Sequence, residues 1–388
     1  MSGERLLSGL FLRVWIANFG AFASFGVLLL ALPLYSRDEL AASDLGVGFA
    51  VAAGSVGAVI ASAPSGRVAD RRGRRVVLLA GAVTMVVCYL ALALGPPLSV
   101  LMLVRLLAGA GDAAFVVAAI SIATDLAPAE RRGEAVSLIT IASYLGLTLG
   151  PVAADFVLGD GRFGLVWILA AASVAVPALV VLTLRETRPT TSEEAPAGWL
   201  PPRAAFPPGL LVFIGLLGFG GFNAFVALYA REIGFDRPGL IFGLFGLVIV
   251  LVRTFGRRLP DRLGARPTLG LSFVFLAVGL ATVGLWNDEP GLFAGTAVFA
   301  VGQALVYPSA VLLAIEATSP SERSAVLGSV GAFVDVALGV GAFLLGAVAE
   351  VAGYGEAFVV AAGIALTGLL MLGATRASGR IPAEEAVP

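Results

Sequence analysis

Apolar stretches of bilayer-spanning length recur along the whole chain. They run at about 11–34, 45–66, 75–95, 98–126, 134–158 and 163–184, and again at about 208–230, 239–256, 267–286, 291–317, 324–349 and 356–375. About 20 residues suffice to cross the hydrocarbon core as a helix, so the pattern predicts twelve transmembrane helices. The composition agrees: of 388 residues, 59% are hydrophobic and 13% charged, against roughly 25% charged in a soluble domain. A single anchor or a cleaved signal peptide would leave a soluble remainder, and none is evident.

The basic residues are all Arg, and threading twelve helices puts most of them on one side: Arg67, Arg71, Arg72, Arg74, Arg75, Arg131 and Arg132, then Arg257, Arg258, Arg262 and Arg266. The other side carries Arg37, Arg162, Arg231 and Arg237. The positive-inside rule then places both termini in the cytoplasm, in a multi-pass protein of the cell membrane. One Cys, Cys88, excludes an intramolecular disulfide, and the absence of His removes the usual imidazole ligand. Neither a metal nor a cofactor is expected, and nothing points to nucleic acid.

The chain repeats itself. ADRRG at 69–73 returns as PDRLG at 260–264, and APAERRGEAVSL from Ala127 returns as SPSERSAVLGSV from Ser319. The offsets, 191 and 192 residues, agree within one position. The expected organisation is a six-helix bundle at 1–184, a polar, Pro-rich cytoplasmic linker at 185–207 and a second six-helix bundle at 208–388. Parallel repeats of this kind place a substrate site between the halves near the midplane.

Between the second and third segments lies Gly66-Arg-Val-Ala-Asp70-Arg71-Arg-Gly73-Arg74-Arg75, which resembles the signature loop of the major facilitator superfamily. The fourth segment holds Arg105-Leu-Leu-Ala-Gly109-Ala-Gly111-Asp112, similar to the arginine motif of that family, and the fifth holds Gly146-Leu-Thr-Leu-Gly150-Pro151, similar to its antiporter motif. The resemblance implies an all-α integral membrane fold of two pseudo-symmetric six-helix bundles, of the proton-coupled drug and sugar efflux type. It implies that Asp70 sits against the start of the eleventh helix and that Arg74 pairs with Asp125. The second loop copy keeps Asp261, Arg262 and Gly264 but has Ala265 where the first has Arg74. In the fifth segment the family pattern continues to a Gly pair, whereas this chain has Ala154 and Asp155.

Arg105 and Asp112, seven residues apart, share a helical face. A charge at the bilayer centre costs about 2.5 to 3.5 kcal/mol on insertion scales, so both are expected to face the bundle interior. Asp335, near the middle of the eleventh segment, has no basic residue in its own helix. Asp335 and Asp112 are therefore the competing proton-coupling candidates, with Arg105 beside them; the repeat position of Asp112 is Gln303. Asn18, Phe22, Phe25, Phe115, Tyr144, Phe222, Asn223, Gln303 and Tyr307 are expected to furnish an aromatic, weakly polar pocket for an amphiphilic organic molecule. Arg253 either attracts an anionic group or approaches the cytoplasmic interface.

No Walker loop is present, so protons are the expected driver. The sequence reads as a secondary, multidrug-like exporter acting by alternating access as a monomer, with proton symport, facilitated uptake or a non-transporting receptor as alternatives. An enzyme is not expected, since HExxH and GxSxG are absent.

Overall fold

The computed structural model describes residues 8–128, 131–159, 161–183, 186, 205–256, 259–316, 318 and 323–378, with the side chains of 261, 323–329 and 374–378 excepted. Among these residues the secondary structure is helical, as a chain immersed in lipid requires when each segment must bond its own backbone. The first six helices are α1 (Gly9–Asp38), α2 (Asp44–Arg72), α3 (Arg74–Leu92), α4 (Leu98–Asp125), α5 (Arg132–Leu158) and α6 (Phe163–Val181). The rest are α7 (Phe206–Glu232), α8 (Gly239–Phe255), the five-residue α9 (Leu259–Leu263), α10 (Ala265–Leu285), α11 (Glu289–Glu316), α12 (Arg323–Ala352) and α13 (Tyr354–Ser378). Eleven are long and apolar enough to cross a membrane; α8, at 17 residues, is the short one of the twelve long helices.

Polar residues start the helices where the apolar runs begin. Ser43 accepts a hydrogen bond from Gly46 N–H, and Ser8 one from Phe11 N–H, each satisfying a donor that the first helical turn leaves free. At the other end of α2, Gly73 adopts φ 112°, and its repeat Gly264 adopts φ 90° before α10. Both turns need a residue without a Cβ, which accounts for glycine in both copies of the loop.

Helices α1–α6 pack on one another chiefly through α1 against α5 and α2 against α4, and α7–α13 chiefly through α10 against α11 and α7 against α12. The α1–α5 seam is closely packed through glycine. A Cβ on Gly150 would lie 2.3 Å from the Ala23 carbonyl oxygen, and one on Gly146 would lie 2.6 Å from the Ala23 nitrogen. The two sets meet through α2 against α12 and α5 against α8.

Candidate functional site

A cavity of about 350 Å³ lies between the two sets. Phe22 and Phe25 of α1, Phe219 and Asn223 of α7, and Leu338 of α12 give it apolar and weakly polar walls. Its charged lining is Arg105 and Asp112 from α4 and Asp335 from α12. Arg105 is 6% exposed, and its guanidinium fills a notch on α2: a Cβ on Gly54 would come within 2.3 Å of one terminal nitrogen. A glycine there is what lets α2 and α4 cross closely with an arginine between them. The Arg105 Nε has no hydrogen-bond partner among the described residues.

Asp112 lies within electrostatic reach of both Arg105 and Asp335. Among the described residues neither Asp112 nor Asp335 belongs to an ion pair within 4.0 Å. One helix therefore supplies a cation and an acid on one face, and a helix of the other set supplies a second acid across the cavity. These are groups able to exchange a proton or meet a charged ligand without first breaking a salt bridge.

Other residues singled out from the sequence lie outside the cavity lining. Asn18 ties α1 to α5, donating to the Ile139 carbonyl at 3.1 Å and to Ser143 Oγ at 2.9 Å. Phe115 is buried where α3 crosses α4, its backbone against Gly81. Phe222 is the hub of an aromatic cluster with Phe242, Phe245, Phe299 and Phe358. It is one residue, about 100° of helix, from Asn223, which does line the cavity. Gln303 is buried, 7% exposed. Tyr144 and Tyr307 gather instead around Arg253.

At the end of the bundle that carries the α2–α3 and α4–α5 connections, Arg74 pairs with Asp125, lies 3.8 Å from Asp70 and donates to the Ser121 carbonyl at 3.0 Å. Gly66 faces Val117 of α4. Arg71 and Arg262 are exposed. The start of α12, against which Asp70 was expected, and the Asp261 side chain fall outside the described side chains. Gly146, Gly150 and Pro151 form the α1–α5 seam, where the Pro151 ring also contacts Gly26.

The opposite end holds contacts that the sequence did not single out. Tyr354 donates to Asp44 at 2.6 Å, and Arg37 pairs with Asp44 and donates to the Tyr354 hydroxyl at 2.9 Å. Arg231 pairs with Asp38 at 2.6 Å, and Leu45 N–H donates to Glu350 at 3.0 Å. Asp155, where the antiporter-like pattern departs, accepts from the Gly239 N–H at the start of α8. Apart from the Arg37–Asp44 pair, which joins α1 to α2, each of these joins α1, α2 or α5 to α7, α8, α12 or α13. Their residues sit near helix ends, and the partners across the two sets lie up to 317 positions apart, so sequence spacing carries no signal for them.

The family model described as Major Facilitator Superfamily matches residues 14–238 and 209–386. A protein of Salmonella typhimurium described as an uncharacterized MFS-type transporter is 28% identical over 374 residues, covering 92% of this chain and 94% of its own length. The crystal structure of the nucleoside transporter NupG superposes with a TM-score of 0.78 at 17% identity, covering 95% of this chain and 99% of that one. A bacterial homolog of the human lysosomal transporter Spinster, in an inward-facing and unoccupied conformation, gives a TM-score of 0.81 at 14% identity over 97% of this chain and 98% of that one.

Proposed function

The chain belongs to the Major Facilitator Superfamily, and from that premise we propose that it is a proton-coupled exporter of a small amphiphilic organic molecule. The observation that carries the reading is the pair of acids, Asp112 and Asp335, facing one aromatic cavity from opposite helix sets and free of ion pairs among the described residues. A carboxylate that already had a salt-bridge partner would resist protonation; one that faces an open cavity can alternate between a proton and a substrate.

The positive-inside distribution of Arg makes the α2–α3 end cytoplasmic. On that orientation the contacts of Asp44, Tyr354, Arg231 and Asp155 close the outer end, and the cavity serves the cytoplasm in this conformation. Substrate enters from inside as Asp335 or Asp112 gives up its proton. The two helix sets then rock about the cavity, and a proton taken from outside expels the substrate. Arg74 and Asp125, already paired within the first helix set in this conformation, hold the α2–α3 connection so that Asp70 can brace the opposite state, in which the cytoplasmic end is closed.

The test is transport by purified protein in proteoliposomes with an imposed pH gradient, over a panel of amphiphilic cations, neutral drugs, sugars and organic acids. Alkalinisation of the proton-rich compartment on adding a compound to the opposite side supports export by antiport. Proton and solute moving together would replace it with symport, and solute movement indifferent to the gradient with facilitated diffusion.

A further inference from the structure

Arg253 belongs to the last turn of α8, where a guanidinium could have reached outward to the interface. It does not. Side chains of a helix lean toward its N-terminus, and here the Arg253 Cζ lies 4.5 Å from the ring centroid of Tyr144. Tyr144 stands at the midpoint of α5, which runs from Arg132 to Leu158. Holding a half-buried cation at this depth is costly unless something compensates it. Among the described residues no carboxylate lies within 4.0 Å of Arg253, and its buried Nε has no hydrogen-bond partner. The Tyr144 ring face supplies part of the compensation as a cation–π contact.

The remaining neighbours are suited to an anion. Tyr307, 37% exposed, belongs to α11, which packs against α8, and lies within electrostatic reach of both Tyr144 and Arg253, so three helices from both sets bring together one guanidinium and two phenols. Phenol and guanidinium groups donate hydrogen bonds, and charge-assisted bonds to a carboxylate or sulfonate are the strong ones. Tyr144 is one helical turn from Leu147, which lines the cavity, so the cluster adjoins it. A ligand with an apolar body in the cavity can extend an acidic group to Arg253.

We propose that Arg253, Tyr144 and Tyr307 form an anion subsite beside the cavity, and that the transported molecule is an amphiphile carrying a carboxylate or a sulfonate. This deepens the transporter reading and rests on it only for the cavity being where substrate binds.

The experiment is equilibrium binding to the full-length protein in phosphatidylcholine nanodiscs at one pH, with no gradient, so that a failure of proton coupling leaves its result standing. The probes are phenylbutyrate, its neutral amide and phenylbutylamine. Wild-type protein is expected to bind phenylbutyrate about tenfold or more tightly than the amide. Arg253→Gln lowers the carboxylate affinity to that of the amide, Arg253→Lys keeps part of the preference, and Tyr307→Phe, which preserves the packing, loses a smaller part. Equal affinity for acid and amide in the wild type, no binding of any probe, or a preference that survives Arg253→Gln each overturns the proposal. Loss of the preference in phosphatidylglycerol nanodiscs would assign the cluster to a lipid headgroup and overturn it as well.

Discussion

Helices α4 and α11 hold equivalent places in the repeat, and they are equipped differently. At the positions where α4 has Arg105 and Asp112, α11 has Thr296 and Gln303, an offset of 191 residues. The α4 pair opens on the cavity, whereas Thr296 and Gln303 are buried, each with a side-chain oxygen lacking a partner among the described residues. The second set places its acid on α12, as Asp335. A duplicated architecture thus carries an unequal distribution of charge: a cation with an acid on one side and a lone acid on the other. The repeat gives the two sets a common plan, and the departure from it is what places acids without ion pairs on the cavity among the described residues.

The largest expected effect comes from removing the lone acid. With the membrane potential clamped at zero, a fully coupled exchange of one proton for one substrate molecule sustains about a tenfold concentration ratio per imposed pH unit, since a factor of ten corresponds to about 1.4 kcal/mol. Asp335→Asn is expected to reduce that ratio to equilibration while substrate-for-substrate counterflow persists in the same vesicles. Loss of both activities together would give Asp335 a merely structural part. Next in size is the seat of the α4 cation. Gly54→Leu has no room beside Arg105 and is expected to cost about 1 to 3 kcal/mol by overpacking, read as a lower midpoint of thermal unfolding, whereas Gly331→Ala, inside α12 where a Cβ meets nothing within 4 Å, should not lower it.

A smaller contrast separates the two loop copies. Arg74→Ala removes the pair with half-buried Asp125 and is expected to slow transport several-fold. The repeat position is already Ala265, so Ala265→Arg should change transport little; a comparable effect of both would mean that the copies act alike. The smallest effect is expected at the opposite end. Arg231→Ala removes a partly exposed pair with Asp38, worth about 1 kcal/mol or less and weakened by salt. It should raise the labelling of cysteines placed in the cavity by an impermeant reagent added outside.

The twelve helices, the repeat and the signature loop were legible because each rests on local pattern: apolar length, a recurring pentapeptide, glycine at a turn. The charged lining was legible as well, since Arg105, Asp112 and Asp335 are conspicuous in apolar surroundings. Which neutral residues join them was not. Phe222 and Asn223 are adjacent in sequence, yet one lies in an aromatic core and the other on the cavity, because helical phase within a segment that is apolar all round gives no sign of which face is inward. Gly54 was hidden for a related reason, being one small residue among many in α2, marked only by the arginine that fills its notch. Asp155 stood out as a departure from a pattern, but its partner on α8 is brought near only by the tertiary packing of the two sets.

Exchange of a proton for substrate at a cavity carboxylate is read out by proton release. With a transported compound in hand, the purified protein in weakly buffered detergent solution is mixed with saturating substrate and the pH change recorded. The wild type is expected to release protons on binding, and Asp112→Asn with Asp335→Asn, folded and still binding the compound, to release none. Binding without release in the wild type, or undiminished release in the double variant, would contradict it.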